Sequence, residues 1–124
     1  MPVPRITKEE LRQRLESADP AARPLVIDAR LKYPYAHSAV RLPGAIRVAP
    51  TSREYPALSR DREIVAYDSD PGELVSSRVA ADLIRLGYRA SALKGGIADW
   101  VGANFPVEPR EGGPAPSAAP QQDR

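Results

Sequence analysis

The sequence predicts a three-layer α/β domain in which helices flank a mainly parallel sheet of four or five strands. Two short apolar runs, at residues 25–28 and 63–67, have the length and composition of strands that are buried on both faces. Segments with helical spacing of apolar residues alternate with these runs, and that alternation is typical of a parallel sheet covered by helices. The chain has 124 residues, which suits one domain.

The first predicted helix begins at Thr7. Thr7 has the residue type of an N-cap, and Glu10 three residues later completes a capping box. Leu11 and Leu15 follow at helical spacing, so one face of this short helix is apolar. A break over residues 21–24 separates the helix from the first strand.

The segment over residues 32–43 shows no clear periodicity and is predicted to be a loop. It contains the only histidine of the chain, His37, which is expected to be exposed to solvent. A turn at Pro43 and Gly44 leads into the next strand. A helix is also indicated over residues 52–59, where a proline interrupts the pattern. The further strand candidates, beside those at residues 25–28 and 63–67, are residues 45–48 and 90–93.

The strongest helix signal follows the strand at residues 63–67. Asp70 at the N-cap, Pro71 at N1 and Glu73 at N3 are residue types that begin helices. A stripe of apolar residues follows, and Gly87 is suited to end the helix as its C′ residue. The predicted helix therefore spans about residues 71–86. Its stripe consists of Val75, Val79, Leu83 and Leu86.

Near the carboxyl terminus, a turn at Gly95 and Gly96 precedes a short helix over residues 97–101. The only tryptophan, Trp100, lies in this helix and is expected to fill the core. From residue 109 the composition changes to proline, alanine and glycine with no large apolar side chain. Such a segment cannot bury enough surface to offset the cost of ordering it. We therefore predict a folded domain over residues 1–108 and a disordered tail over residues 109–124.

Composition excludes several classes of function. The net charge is +2 without a run of basic residues, so we expect no nucleic-acid partner. No apolar stretch approaches the ~20 residues that span a bilayer, and the amino terminus lacks a signal sequence, so the protein is expected to be cytoplasmic and away from membranes. The absence of cysteine excludes disulfides, thiolate metal sites and a cysteine nucleophile within these residues. We expect no cofactor and no metal.

Four motifs in order and at suitable spacing resemble the rhodanese-like domain family. They correspond to the family's Asp-x-Arg, its His-Ile-Pro-Gly-Ala, the strand before its active-site loop, and its Leu-x-Gly-Gly-x-x-x-Trp. The motifs are Asp28-Ala29-Arg30, Arg41-Leu42-Pro43-Gly44-Ala45, Ile64-Val65-Ala66-Tyr67 and Leu93-Lys94-Gly95-Gly96-Ile97-Ala98-Asp99-Trp100. The resemblance covers about residues 5–108 and implies sulfur transfer through a cysteine persulfide. The resemblance also implies structural roles for seven residues of these motifs. They are Asp28, Arg30, Pro43, Gly44, Gly95, Gly96 and Trp100.

The sequence departs from the family at the nucleophile. The resemblance places the catalytic cysteine directly after Tyr67, where this chain has Asp68. A carboxylate cannot form or transfer a persulfide, because that step needs a thiolate. The loop resembles a family variant that reads Cys-x-Cys-Pro-x-Glu, with aspartate at both cysteine positions. The former active-site loop and the turn after it comprise Asp68, Ser69, Asp70, Pro71, Gly72, Glu73, Ser76, Ser77 and Arg78.

The charged residues around this loop have different expected roles. Asp70 and Glu73 are explained as caps of the following helix, which leaves Asp68 without a structural role. Asp28 and Arg30 are expected to form a structural ion pair near the sheet edge. The possible binding residues are Arg41 and Arg47, which are candidates for attracting an anionic partner.

Three functions are compatible with these residues. The first is a catalytically inactive binding or regulatory module, in which Asp68 and Asp70 meet a cationic or amide-bearing protein partner. The alternative is a carboxylate- and metal-dependent hydrolase or phosphatase, because Asp68-Ser69-Asp70 resembles the first motif of the haloacid dehalogenase-like phosphatases. In the third, another protein supplies the thiol while this domain holds the substrate. Binding of a divalent metal at Asp68 and Asp70 distinguishes the first two functions, because only the hydrolase requires it.

Overall fold

The computed structural model describes residues 3–49, 55, 58–69 and 74–110. Within them, seven strands and four α-helices follow one another along the chain, with a 3₁₀ helix over Pro20–Ala22 between α1 and β2. They are β1 (Arg5–Ile6), α1 (Lys8–Leu15), β2 (Leu25–Asp28), α2 (Lys32–Ala36), β3 (Val40–Arg41), β4 (Ile46–Arg47), β5 (Ile64–Tyr67), α3 (Leu74–Arg85), β6 (Ala90–Leu93), α4 (Gly96–Gly102) and β7 (Glu108–Pro109).

Five strands form one parallel sheet in the order β1-β6-β5-β2-β4, and β3 pairs with β7 in a separate antiparallel ribbon. The predicted α/β class and strand number are therefore confirmed. The register places Asp28 beside Tyr67, so β2 and β5 end at the same level. Because the strands are parallel, the segments that follow them leave the sheet at one common edge.

Two apolar layers cover the two faces of the sheet. One layer joins α1 and α4 to the sheet and includes Leu11, Trp100 and Val65. The other joins α3 to the opposite face and includes Leu83 and Ala66. Successive residues of a strand point to opposite faces, which is why neighbours on β5 belong to different layers.

The predicted helix boundaries agree with the structure where they can be compared. Thr7 and Glu10 form the capping box of α1. The Thr7 N–H donates to Glu10 Oε1 and the Glu10 N–H donates to Thr7 Oγ1, with N···O distances of 3.0 and 3.1 Å. At the end of α3, Gly87 adopts a φ of 96° and its N–H donates to Ile84 O. The predicted start of that helix, at Asp70–Glu73, lies outside the described residues. Leu86 is half exposed, so it does not extend the buried stripe.

The prediction of a loop over residues 32–43 was wrong, because this segment contains α2 and β3. The helix has five residues with a proline inside it, and its N-cap Leu31 has no side-chain cap, so the usual local signals are missing. The strand β3 pairs with β7, far along the chain. The very short strands β1 and β7 were also not predicted. Most of the helix indicated over residues 52–59 lies outside the described residues.

The ordered structure continues beyond the predicted limit at residue 108. Pro109 belongs to β7, and the Arg110 N–H donates to Ala39 O at 2.9 Å. Residues 111–124 of the predicted tail lie outside the described residues. In the part of the chain that the structure describes, no helix combines the length and the apolar character that crossing a membrane requires.

Candidate functional site

The candidate site lies at the edge of the sheet where β2 and β5 end. The Ala29 N–H donates to Tyr67 O at 2.8 Å, which continues the pairing of these strands to their last residues. Asp28 is the last residue of β2, Arg30 lies two positions later, and Asp68 directly follows β5. The structure therefore brings the predicted Asp-x-Arg motif and the expected nucleophile position to one edge, where parallel sheets place their sites.

Asp68 is buried and bonded at both its side chain and its backbone. The residue is only 1% exposed, and its Oδ2 accepts a hydrogen bond from the Ser76 N–H at 2.8 Å. Its carbonyl oxygen accepts one from the Ile97 N–H at 2.9 Å. The expectation that Asp68 lacks a structural role was therefore wrong, because its carboxylate satisfies a backbone donor in the first described turn of α3. Burial also removes Asp68 from direct contact with a partner.

The other loop residues have varied surroundings. Ser76 is fully buried, whereas Ser69 and Ser77 are partly buried. Arg78 is partly exposed and forms an ion pair with Asp82 at 3.2 Å, one helical turn away. The predicted site residues Asp70, Pro71, Gly72 and Glu73 lie outside the described residues.

Asp28 and Arg30 form the expected ion pair. The Asp28 Oδ2 lies 2.7 Å from Arg30 Nη2, the Oδ1 lies 3.0 Å from Nε, and each residue is 1% exposed. Burial acts to lower the pKa of Arg30, but hydrogen bonding to Asp28 and the charge of that carboxylate outweigh it and raise the pKa. Strand β2 lies between β5 and the edge strand β4, and Asp28 is in register with Arg47 of that edge strand, so the pair lies near the sheet edge, as we had expected.

The structure separates the two arginines that were candidates for an anionic partner. Arg47 approaches the buried pair: its Nη1 donates to Arg30 O at 2.6 Å and lies 3.6 Å from Asp28 Oδ1. Burial lowers the pKa of Arg47. Arg41 lies on the β3–β7 ribbon, where it donates to Ala45 O and forms an ion pair with Glu108. Both guanidinium groups therefore stabilise loops of the fold.

Two tyrosines near the site make contacts that the sequence did not predict. The ring centroid of Tyr35 lies 3.9 Å from the guanidinium carbon of Arg47 and 4.2 Å from that of Arg110. Because α2 was predicted as a loop, nothing in the sequence indicated this contact. Tyr67 is fully buried and its Oη accepts a hydrogen bond from the Leu42 N–H. Burial raises the pKa of Tyr67 far above its usual value, and the nearby Asp28 charge adds to this effect.

The remaining motif residues shape the backbone and core. Gly44, Gly95 and Gly96 all have positive φ angles, and the Gly44 N–H donates to Glu108 Oε1. Pro43, which precedes the first of these turns, is partly buried. Trp100 is 1% exposed, and its Nε1 donates to Pro106 O at 2.7 Å. These positions hold the chain around the site without lining it.

In the described part of the chain, no group of three histidine, cysteine, aspartate or glutamate side chains is placed to hold a metal ion. The pair proposed for a hydrolase, Asp68 and Asp70, includes a residue outside the described ranges.

Comparisons with known proteins agree with the fold. The sequence matches the model of the family described as "Rhodanese-like domain" over residues 7–103. A full-length protein from Lactobacillus plantarum superimposes with a TM-score of 0.74 at 22% identity, covering 85% of this chain and 87% of that one. The BH2092 protein from Bacillus halodurans gives 0.70 at 23% identity, covering 86% and 77%. No curated protein matches the sequence.

A structure described as a thiosulfate sulfurtransferase from Pseudomonas aeruginosa is also similar. It gives a TM-score of 0.70 at 24% identity and covers 98% of this chain but only 22% of that protein. At such identities these likenesses show the fold alone. The family match, by contrast, spans most of the sequence. This chain, which contains no cysteine, therefore belongs to the rhodanese-like domain family.

Proposed function

We propose that this chain is a catalytically inactive rhodanese-like module and that the surface around its former active-site loop binds another protein. The observation that carries this proposal is the burial and hydrogen bonding of Asp68. This residue stands where the family has its nucleophile, it is almost fully buried, and its carboxylate is bonded to the Ser76 N–H.

Two physical arguments support the loss of sulfur transfer. These residues offer no thiolate, so no persulfide can form on them. In addition, a backbone N–H at the start of a helix is a natural donor to a bound anion, and here the carboxylate of Asp68 takes that role. The negative charge of Asp68 disfavours the approach of thiosulfate to the same donors.

Exposed apolar side chains at this edge support a protein partner. Leu74 opens the described part of α3 and is 75% exposed, while Leu31 and Tyr33 beside the start of α2 are 51% and 69% exposed. Both helices follow strands that end at the candidate site. Large aromatic and aliphatic side chains that are exposed to solvent can serve as contacts for a protein partner. Because Asp68 is buried, a partner would contact this rim and not that carboxylate.

The enzymatic part is tested by a thiosulfate:cyanide sulfurtransferase assay. We expect the wild-type protein to form no thiocyanate above the protein-free blank. Asp68→Cys is the matched variant, since it returns a thiol to the nucleophile position and shows whether the rest of the loop still supports the chemistry. Thiocyanate formation by the wild type, in proportion to protein concentration, would refute the inactive assignment.

The binding part is tested with two charge substitutions at the two ends of α3. Leu74→Glu alters the rim, and Leu86→Glu alters a similarly exposed leucine just beyond the opposite end of the helix. Affinity purification from the native cells should recover one protein with the wild type and with Leu86→Glu, and lose it with Leu74→Glu. Equal recovery by both variants would place any interaction elsewhere.

A further inference from the structure

A second concave surface lies beside the candidate site, where β1 and β6 end. This cleft has a volume of about 640 Å³ and is lined by side chains that include Arg5, Lys8, Glu9, Lys94 and Asp99. The volume lies within the range of roughly 300–1,000 Å³ that is typical of sites for small molecules. We call it the β1–α4 cleft. None of Leu31, Tyr33 and Leu74 lines it, so it is separate from the surface that we propose for a protein partner.

Cationic side chains outnumber carboxylates among the described residues that line the β1–α4 cleft. Both of its carboxylates are engaged by one ammonium group, since Lys8 Nζ lies 3.0 Å from Asp99 Oδ2 and 3.4 Å from Glu9 Oε2. Hydrogen bonding to Asp99 raises the pKa of Lys8, which keeps it charged. Lys94 is exposed and forms no ion pair with any carboxylate of the described residues. Among the described residues, three cationic side chains and two carboxylates therefore line the cleft.

The cationic residues of the cleft lie on or next to elements that are held by strand pairing, hydrogen bonds and an ion pair. Arg5 lies on β1, in register with Ala92 of β6. The Lys94 N–H donates to Ile6 O at 2.9 Å, which ties the turn after β6 to the edge strand. The Lys8–Asp99 pair joins the first turn of α1 to α4. The cleft is thus formed by elements that are bonded to one another. A ligand would therefore bind without the entropic cost of ordering a loop.

Gly95 shapes the wall of this cleft. It adopts a φ of 83°, and a Cβ atom placed on it would lie 2.6 Å from the Cβ of Asp99. Only glycine therefore allows Asp99 to pack against this turn while reaching Lys8.

From these observations we propose that the β1–α4 cleft binds a small organic phosphate that also carries hydroxyl groups. A phosphate presents oxygens in several directions and suits cations that converge from separate segments, with lysine acting as a point charge. The cleft is larger than inorganic phosphate alone requires. Glu9 and Asp99 lie beside the cations as acceptors, so hydroxyl groups of the ligand can donate to them.

The proposal is tested by amide chemical-shift titration of the isotope-labelled full chain. The probes are adenosine 5′-monophosphate, ribose 5-phosphate and inorganic phosphate, with adenosine as the uncharged control. We expect at least one organic phosphate to give saturable shifts at Thr7–Glu9 and Lys94–Asp99. Binding should be tighter than that of inorganic phosphate, and adenosine should give no saturable shift.

Two charge reversals provide the matched comparison. Lys94→Glu removes the exposed cation of the cleft, and Lys32→Glu changes an exposed lysine on α2 that does not line it. We expect Lys94→Glu to weaken binding by about tenfold or more, and Lys32→Glu to change it by less than about twofold.

Several results would overturn this proposal. They are the absence of saturable shifts with either organic phosphate at millimolar concentration, equal effects of the two reversals, or binding of inorganic phosphate as tight as that of the organic phosphates. Shifts centred on Ser76–Arg78 would also overturn it, because they would place the anion at the former active-site loop. The sulfurtransferase and rim-variant experiments have separate readouts, so the two proposals fail independently.

Discussion

The carboxylate of Asp68 and the backbone N–H of Ser76 form a hydrogen bond of 2.8 Å in the protein interior, across eight positions of the chain. The bond joins the residue after a central strand to the helix that follows it. A negative side chain here satisfies a backbone donor near the start of α3 and interacts favourably with the helix dipole. The position at which we expected the nucleophile therefore has a structural role in this chain.

Removing this carboxylate should destabilise the fold. Asp68→Ala leaves the buried Ser76 N–H without that acceptor, so we expect a loss of about 1–3 kcal/mol in the free energy of unfolding. Asp68→Asn keeps an acceptor oxygen and should lose less. Urea unfolding followed by the fluorescence of Trp100, the only tryptophan, measures both. An alanine variant as stable as the wild type would contradict this role.

The buried ion pair should be sensitive to loss of either partner. Asp28→Asn leaves the Arg30 charge buried without its counter-ion, and we expect a loss of about 3–5 kcal/mol. The double variant with Arg30→Met should recover part of this loss, which a double-mutant cycle would measure. Glu16→Gln is the control, because it breaks the exposed Arg12–Glu16 pair and should cost less than about 1 kcal/mol. Equal losses for the two ion pairs would show that burial of the first is unimportant.

Tyr67 should resist ionisation in the folded protein. Burial raises its pKa far above the unfolded value of about 10, so the stability that depends on the neutral phenol is present below that pH and is lost as the pH rises above it. In an ultraviolet titration, wild type and Tyr67→Phe should show equal tyrosinate absorbance until alkaline unfolding begins. In denaturant the wild type should show one ionising tyrosine more. A difference of one group before unfolding would contradict the raised pKa.

Two glycine substitutions should have opposite effects in α4 and its turn. Gly95→Ala adds a Cβ at positive φ against the side chain of Asp99, so we expect a loss of more than about 1 kcal/mol. Gly102→Ala adds a Cβ to the end of α4 where no atom lies within 4 Å, and it should be neutral or stabilising by up to about 1 kcal/mol. Thermal unfolding of the two variants gives the comparison, and similar melting temperatures would count against this account of the turn.

Much of the fold was predictable because its signals are local. The strands β2 and β5 are continuous apolar runs, and such runs are buried wherever they fall in a parallel sheet. Thr7 with Glu10 and Gly87 mark helix ends through bonds to residues within a few positions. The short segments without such signals were missed: α2 lacks a side-chain cap, and β1, β3 and β7 are two-residue strands defined by distant partners.

The sequence indicated one contact of the candidate site, the Asp28–Arg30 pair, but not the contacts between separate elements. The sequence by itself determined the α/β class, the absence of a thiol, the aspartate at the nucleophile position and the pairing of Asp28 with Arg30, because these depend on composition or on neighbours in the chain. Only the tertiary structure decided that Asp68 is buried against α3, that Tyr35 lies among the arginines, and that Lys8 meets Asp99. These contacts join residues on separate elements. Their distances are set by the packing of helices on the sheet, and local sequence patterns do not predict that packing.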